Sequence, residues 1–170
     1  MPAIRPYQKT LLHLRDSATV DFGPAGAALT NNGVTVADDV FSFAASGAQL
    51  TFGEDLSSTT RFISFWIRAA DANRFVLLSP DNAGKIAFVR ENGSSSSAFN
   101  NAMPNAIFVN GQYFGTSMTR QQLYDETPAG EWVHLAAELT FTAAWANTRI
   151  GPYTFSSGFD FEGEIADFRI

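Results

Sequence analysis

The chain is 170 residues long, a length that suits one domain with a sizeable core. It is 45% hydrophobic and only 16% charged, and its net charge is −6; the 11 Lys and Arg are scattered singly and form no basic track, so nucleic acid is not an expected partner. Cysteine is absent, which rules out a disulfide framework and cysteine-ligated zinc.

Sixteen Phe residues, with Gly and Pro spread along the chain, favour many short strands joined by turns. The opening stretch MPAIRPYQKTLLHLR has no apolar run long enough for a secretory signal or a membrane span. The expectation is a chain made in the cytoplasm without a signal peptide and without membrane insertion. Lysis, a particle or another export route would carry it outside.

In chain order, LLHLR (11–15) reads as a first strand, closed by the Gly/Pro turn DFGPAG. NNGVTV (31–36) is a tight turn entering a strand, because Asn-Gly supplies the positive φ angles that such a turn needs. FSF (41–43) and AQLTF (48–52) are short strands around Gly47. RFISFWIRA (61–69) and RFVLLS (74–79) read as a hairpin joined by ADAN. KIAFVRE (85–91) alternates, with Ile86, Phe88 and Arg90 on one side. A loop-rich region follows at about 92–130. It holds the strand pair AIFVNGQYF, turning at Asn110-Gly111, and a short helical stretch, TRQQLYDE (119–126). Strands return in EWVHLAAELTF (131–141), WANTRIG (145–151) and FDFEGEIADFRI (159–170). This many short strands in one domain means an all-β sandwich or barrel.

RFISFWIR poses a specific question. Ile63, Phe65 and Ile67 share one face, yet Phe62 and Trp66 put bulk on the other, where a half-solvated strand should be polar. EWVHLAAELTF divides in the same way. Val133, Leu135, Ala137, Leu139 and Phe141 form an apolar face, and Trp132, His134, Ala136 and Glu138 a mixed one.

Several segments, in order, resemble the laminin G-like and concanavalin A-like jelly rolls. GAQLTF is similar to their short glycine-led strand, and RFISFWIR to the phenylalanine-tryptophan strand after it. GEWVHLAAEL is similar to the tryptophan-histidine-leucine-alanine strand, and FEGEIADFRI to the closing strand. With LLHL at the start, the resemblance spans nearly the whole chain as one domain, 1–170. It implies a two-layer antiparallel β-sandwich, one sheet convex and one concave, with Phe62 and Trp66 on the face turned away from the inter-sheet core.

The family includes glycoside hydrolases, whose acid and nucleophile project from one strand into one groove. Here the nearest match is Glu162 and Glu164, with Asp160 before them, but on the closing strand rather than the catalytic one. Exposed strand carboxylates mostly serve solubility and edge protection, so no catalytic residue is assigned. His13 and His134 are the only histidines, no Gly-x-Ser-x-Gly elbow is present, and His134 reads as a packing residue. Many relatives hold a structural calcium through an aspartate on the closing strand. Aligning on Arg169 puts that position at Ala166, and Asp167 should face the opposite way. Asp38, Asp39, Asp16 and Asp21 could supply oxygen ligands, but loop aspartates usually cap turns. No metal and no cofactor are expected.

Sugar recognition uses an aromatic platform flanked by amides and hydroxyls. The 92–130 region offers Phe99, Asn100, Asn101, Asn110, Gln112, Tyr113, Phe114 and Tyr124, and Trp145 lies in a turn beyond it. Phe99, Asn101, Gln112, Tyr113, Phe114, Tyr124 and Trp145 are the candidate ligand contacts. The alternative is that Phe99, Phe114 and Tyr124 pin the loop down or pack against a neighbouring subunit. The functional expectation is a non-catalytic attachment or structural module, most simply a bacteriophage capsid decoration or tail-associated protein displayed on the virion. It would act as a homo-oligomer or within a larger protein assembly, with glycan contact as a secondary role. A free carbohydrate-binding lectin is the alternative, and a glycoside hydrolase the weaker one.

Overall fold

The structure is a computed structural model that describes residues 29–44, 47–53, 55–70, 74–80, 84–142, 145–151 and 159–170. The expected first strand at 11–15, with His13, Asp16 and Asp21, lies outside the described residues, as does most of the ADAN connection. The strands are β1 (Leu29–Asn32), β2 (Thr35–Ala37), β3 (Val40–Phe43), β4 (Gln49–Phe52), β5 (Thr60–Ala69) and β6 (Phe75–Ser79). They continue as β7 (Ala87–Arg90), β8 (Ala102–Val109), β9 (Gln112–Gly115), β10 (Val133–Phe141), β11 (Thr148–Ile150) and β12 (Gly163–Arg169). One helix, α1 (Arg120–Glu126), precedes β10.

The strands form an all-β, two-layer antiparallel sandwich. One sheet has five strands, ordered β1-β4-β11-β6-β7, and the other seven, ordered β2-β3-β12-β5-β10-β8-β9. The core lies between them and is largely aromatic. Phe65 of the larger sheet meets Phe88 of the smaller edge-to-face at 5.0 Å and stacks on Phe168 at 5.7 Å. Phe161 bridges Phe43 and Phe75, at 5.3 and 5.2 Å, across the same gap. Edge-to-face pairs set the positive ring edge against the negative ring face, adding attraction to the area each ring hides from water. The alternation expected of β10 holds: Val133, Leu135, Ala137, Leu139 and Phe141 are all buried.

The expected hairpin of residues 61–69 with 74–79 does not form. β5 has both edges occupied, by β10 and β12, so β6 crosses to the other sheet and pairs with β7 and β11. The burial patterns give the reason. β5 alternates over most of its length, whereas every residue of FVLLS is buried, as in a strand covered on both faces. KIAFVRE also departs from clean alternation. Phe88 takes φ 56° and joins the main core, while Ile86 lies in a small separate cluster with Val76 and Val89.

Asn110 and Gly111 make the expected two-residue turn, with φ 49° and 80°, between β8 and β9. β8 starts earlier than AIFV suggested. A register shift between Glu138 and Leu139 leaves Asn105 as an extra residue, so Pro104, which has no N–H to donate, fits in the strand beside a bulge. The helix forms where expected. Thr119 caps it, its Oγ1 accepting from the Gln122 N–H at 3.1 Å while Gln122 Oε1 accepts from the Thr119 N–H at 2.8 Å.

Candidate functional site

The seven-stranded sheet turns its inner face to the core and its outer face to solvent. Register fixes which side chains share that outer face. Trp66 lies opposite His134, Ser64 opposite Ala136, and Phe62 opposite Glu138. On the far side of β10, Ala136 faces Phe108 and Thr140 faces Met103; Phe108 in turn faces Tyr113 of the edge strand β9. The side chains thus form rows running across the strands, about 4.8 Å apart from strand to strand. In the central row the small residues Ser64 and Ala136 lie beside the paired rings of Phe108 and Tyr113, whose centroids are 5.6 Å apart. In the next row the Trp66 indole and the His134 imidazole sit 5.1 Å apart.

Exposure makes this face unusual. Among the described residues four large hydrophobic side chains stand well out of the protein: Phe62 at 46%, Trp66 at 42%, Met103 at 56% and Tyr113 at 58%. All four belong to this one face. Scattered exposed apolar groups are ordinary on a protein surface, but a contiguous group marks an interaction surface.

His134 is anchored by its backbone rather than its ring: its N–H donates to Asn110 Oδ1 at 2.9 Å, and its carbonyl accepts from the Asn110 N–H at 2.8 Å. Burial against the sheet pushes the imidazole below its usual pKa. Asp167 opposes that shift and Arg169 adds to it.

The sequence-based candidates separate into distinct groups. Tyr113 lies on the outer face, and Gln112 is exposed beside it on β9. Phe114 is half-buried against the core. Phe99 and Trp145 are buried, and as ligand contacts they are corrected: the Phe99 ring meets Phe88 at 5.2 Å, and the Trp145 ring meets Phe141 at 4.7 Å. Large rings gain most by leaving water, and here the core takes them. The Asn101 side chain is exposed, but its carbonyl accepts from Trp145 Nε1 at 2.8 Å and from Thr142 Oγ1 at 3.0 Å, so this residue locks the loop down. Tyr124 packs its ring 4.7 Å from the buried Arg90 guanidinium. Arg120 ties the helix to the sheet by pairing with Glu91 at 2.6 Å, and that hydrogen bond holds the Glu91 carboxyl below its usual pKa. The region 92–130 is therefore mostly framework. Phe62, Trp66, Phe108, Met103 and His134 were missed as site residues. The signal for two of them was present, in the bulk on both sides of RFISFWIR.

At the end of the same sheet, Glu162 and Glu164 line a cleft of about 510 Å³ with Arg68 and Ser42. Arg68 Nε donates to Glu164 Oε2 at 2.5 Å, and its guanidinium lies 5.1 Å from the Trp132 ring. A second cleft, about 300 Å³, is lined by Asp38, Asp39, Ala166, Asp167 and Arg169. The expectation that Asp167 faces away from Ala166 is corrected. Pairing slips between Ala166 and Arg169, Asp167 takes φ 49°, and this bulge brings both residues to one cleft. The Asp167 carboxylate accepts from Arg169, at 2.8 Å from Nη2 to each oxygen. Among the described residues no group of three His, Asp or Glu side chains is placed to hold a metal ion. No family model, no curated protein and no solved structure matches the chain.

Proposed function

We propose that this chain is a non-catalytic attachment module of the laminin G-like, concanavalin A-like kind, displayed on a bacteriophage virion as a capsid decoration or tail-associated protein. In this reading the outer face of the seven-stranded sheet is the attachment surface. The observation that carries it is the convergence of Phe62, Trp66, Met103 and Tyr113 on that single face. Their rings and thioether gain free energy when a partner covers them, at roughly 25 cal/mol per Å² of apolar area. The rigid sheet beneath keeps the ordering cost of binding low. Absence of cysteine and a low share of charged residues suit a particle component.

A glycan is the second partner that specific side chains favour. Tyr113 with Phe108, and Trp66 with His134, present flat aromatic surfaces on the face that also carries the Glu138 carboxylate opposite Phe62, and sugars offer apolar ring faces and hydroxyl rims.

The test compares the native chain with the double variant Trp66→Ala/Tyr113→Ala by light scattering and on a glycan array. The native chain should form a stable oligomer, co-purify with a much larger particle or bind a glycan saturably, and the variant should lose that property while melting normally. A native chain that is monomeric, particle-free and glycan-silent ends the proposal, as does a variant identical to it. Release of reducing sugar, lost on Glu162→Gln, would show instead an enzyme.

A further inference from the structure

The cleft of about 510 Å³ at the end of the seven-stranded sheet is separate from the attachment surface just described, and its volume falls within the range of small-ligand sites. Its interior is mostly apolar, and the short side chains of the exposed Ala44 and Ala70 leave open space where larger residues would fill it. Gly163 contributes to that shape. A Cβ there would stand 2.4 Å from the Arg68 carbonyl oxygen, so only glycine lets β12 run this close to β5. Gly130 borders the opening, and a Cβ on it would meet nothing within 4 Å.

The charges at the mouth narrow the choice of occupant. Arg68 is committed, paired with Glu164 and lying over Trp132. An incoming anion would have to displace Glu164 to reach it. The charges of Arg68 and Glu164 cancel, which leaves the exposed Glu162 carboxylate with no ion-pair partner among the described residues. The cleft therefore presents an apolar interior and one net negative charge at its rim, on a protein whose total charge is −6.

We propose that this cleft binds a primary ammonium carried on an unbranched aliphatic stem, the stem lying along the alanines and the ammonium pairing with Glu162. Such a group is apolar along its length and charged only at its tip, which matches the order of apolar interior and acidic rim. Free alkylamines and the lysine side chain of a partner protein share this chemistry.

The test is calorimetric titration of the full chain with 1-aminopentane, with Nα-acetyl-lysine methylamide and with 1-pentanol. Both amines should saturate at about millimolar concentration, as ligands this small do, and pentanol should not bind. A lysine derivative binding at least as tightly as aminopentane assigns the cleft to a partner's lysine; one binding about tenfold more weakly assigns it to a free amine. Glu162→Gln should weaken aminopentane about three- to fivefold, the usual scale of a solvent-exposed ion pair. Ala70→Phe, at an exposed position, should abolish binding by filling the cleft. Asp125→Asn, which removes an exposed carboxylate of α1 outside the cleft, should leave aminopentane binding unchanged. Failure of both amines to saturate by about 50 mM overturns the proposal. So does pentanol binding as tightly as the amine, or a Glu162→Gln variant that binds unchanged. None of these outcomes touches the Trp66 and Tyr113 surface, so the two proposals fail independently.

Discussion

The two faces of β5 carry side chains of similar bulk in opposite surroundings. Ile63, Phe65 and Ile67 are sealed against the second sheet, whereas Phe62 and Trp66 on the reverse face are nearly half exposed. An inter-sheet core needs only one of these faces. The other is apolar without contributing comparably to folding, and that is the physical basis for reading it as a surface kept for a partner. Truncations should show the asymmetry most clearly. Phe65→Ala removes a ring packed between Phe88 and Phe168 and should cost about 3–5 kcal/mol in denaturant unfolding. Phe62→Ala should cost less than about 1 kcal/mol. Equal costs would break the contrast, because they would mean that the outer face is covered in the folded protein.

Trp145→Ala sharpens the same contrast within the aromatic candidates. It empties a fully buried site and removes the Nε1 hydrogen bond to the Asn101 carbonyl, so a loss of about 3–5 kcal/mol is expected. Tyr113→Ala, on the edge strand, should leave unfolding within about 0.5 kcal/mol of the native value while removing attachment. Gly163→Ala should fall between them, at about 1–3 kcal/mol, because its methyl group would press on the Arg68 carbonyl. Thr119→Ala removes one half of the capping box and should cost about 1 kcal/mol, read as earlier loss of the helix on heating.

The fold was legible where period and turn chemistry agree. Alternation in β5 and β10, Asn110-Gly111 and the Thr119-to-Gln122 spacing each state their structure locally. Pairing was not legible, because it is decided by which edges are free. Nothing in RFVLLS says that both edges of β5 are already taken. Bulges were equally hidden: register shifts at Asn105 and, where Asp167 takes a positive φ, between Ala166 and Arg169, and no side-chain pattern displays either. The candidate site was half visible. An aromatic in a polar loop looks the same in sequence whether it is pinned inside, like Phe99, or held outside, like Tyr113; only the neighbouring strands decide.

The smallest expected effect tests the outer face by pH. Burial lowers the His134 pKa, so the folded protein resists a proton that the unfolded chain accepts near the ordinary value of 6.5. Stability should therefore be unchanged above that pH. It should fall as the pH drops below 6.5 and level off once His134 is protonated in the folded state as well. Partial exposure keeps the loss small. His134→Phe should flatten the stability curve in that window, while Glu91, held below its usual pKa by the Arg120 hydrogen bond, should lose its contribution only at lower pH as it protonates. The native chain should also show Trp fluorescence changing over the same interval, because the imidazolium forms 5.1 Å from the Trp66 ring. A partner that covers this face would remove more water from His134 and displace the fluorescence midpoint to still lower pH. A midpoint that stays fixed when the partner is added would show that the partner binds elsewhere.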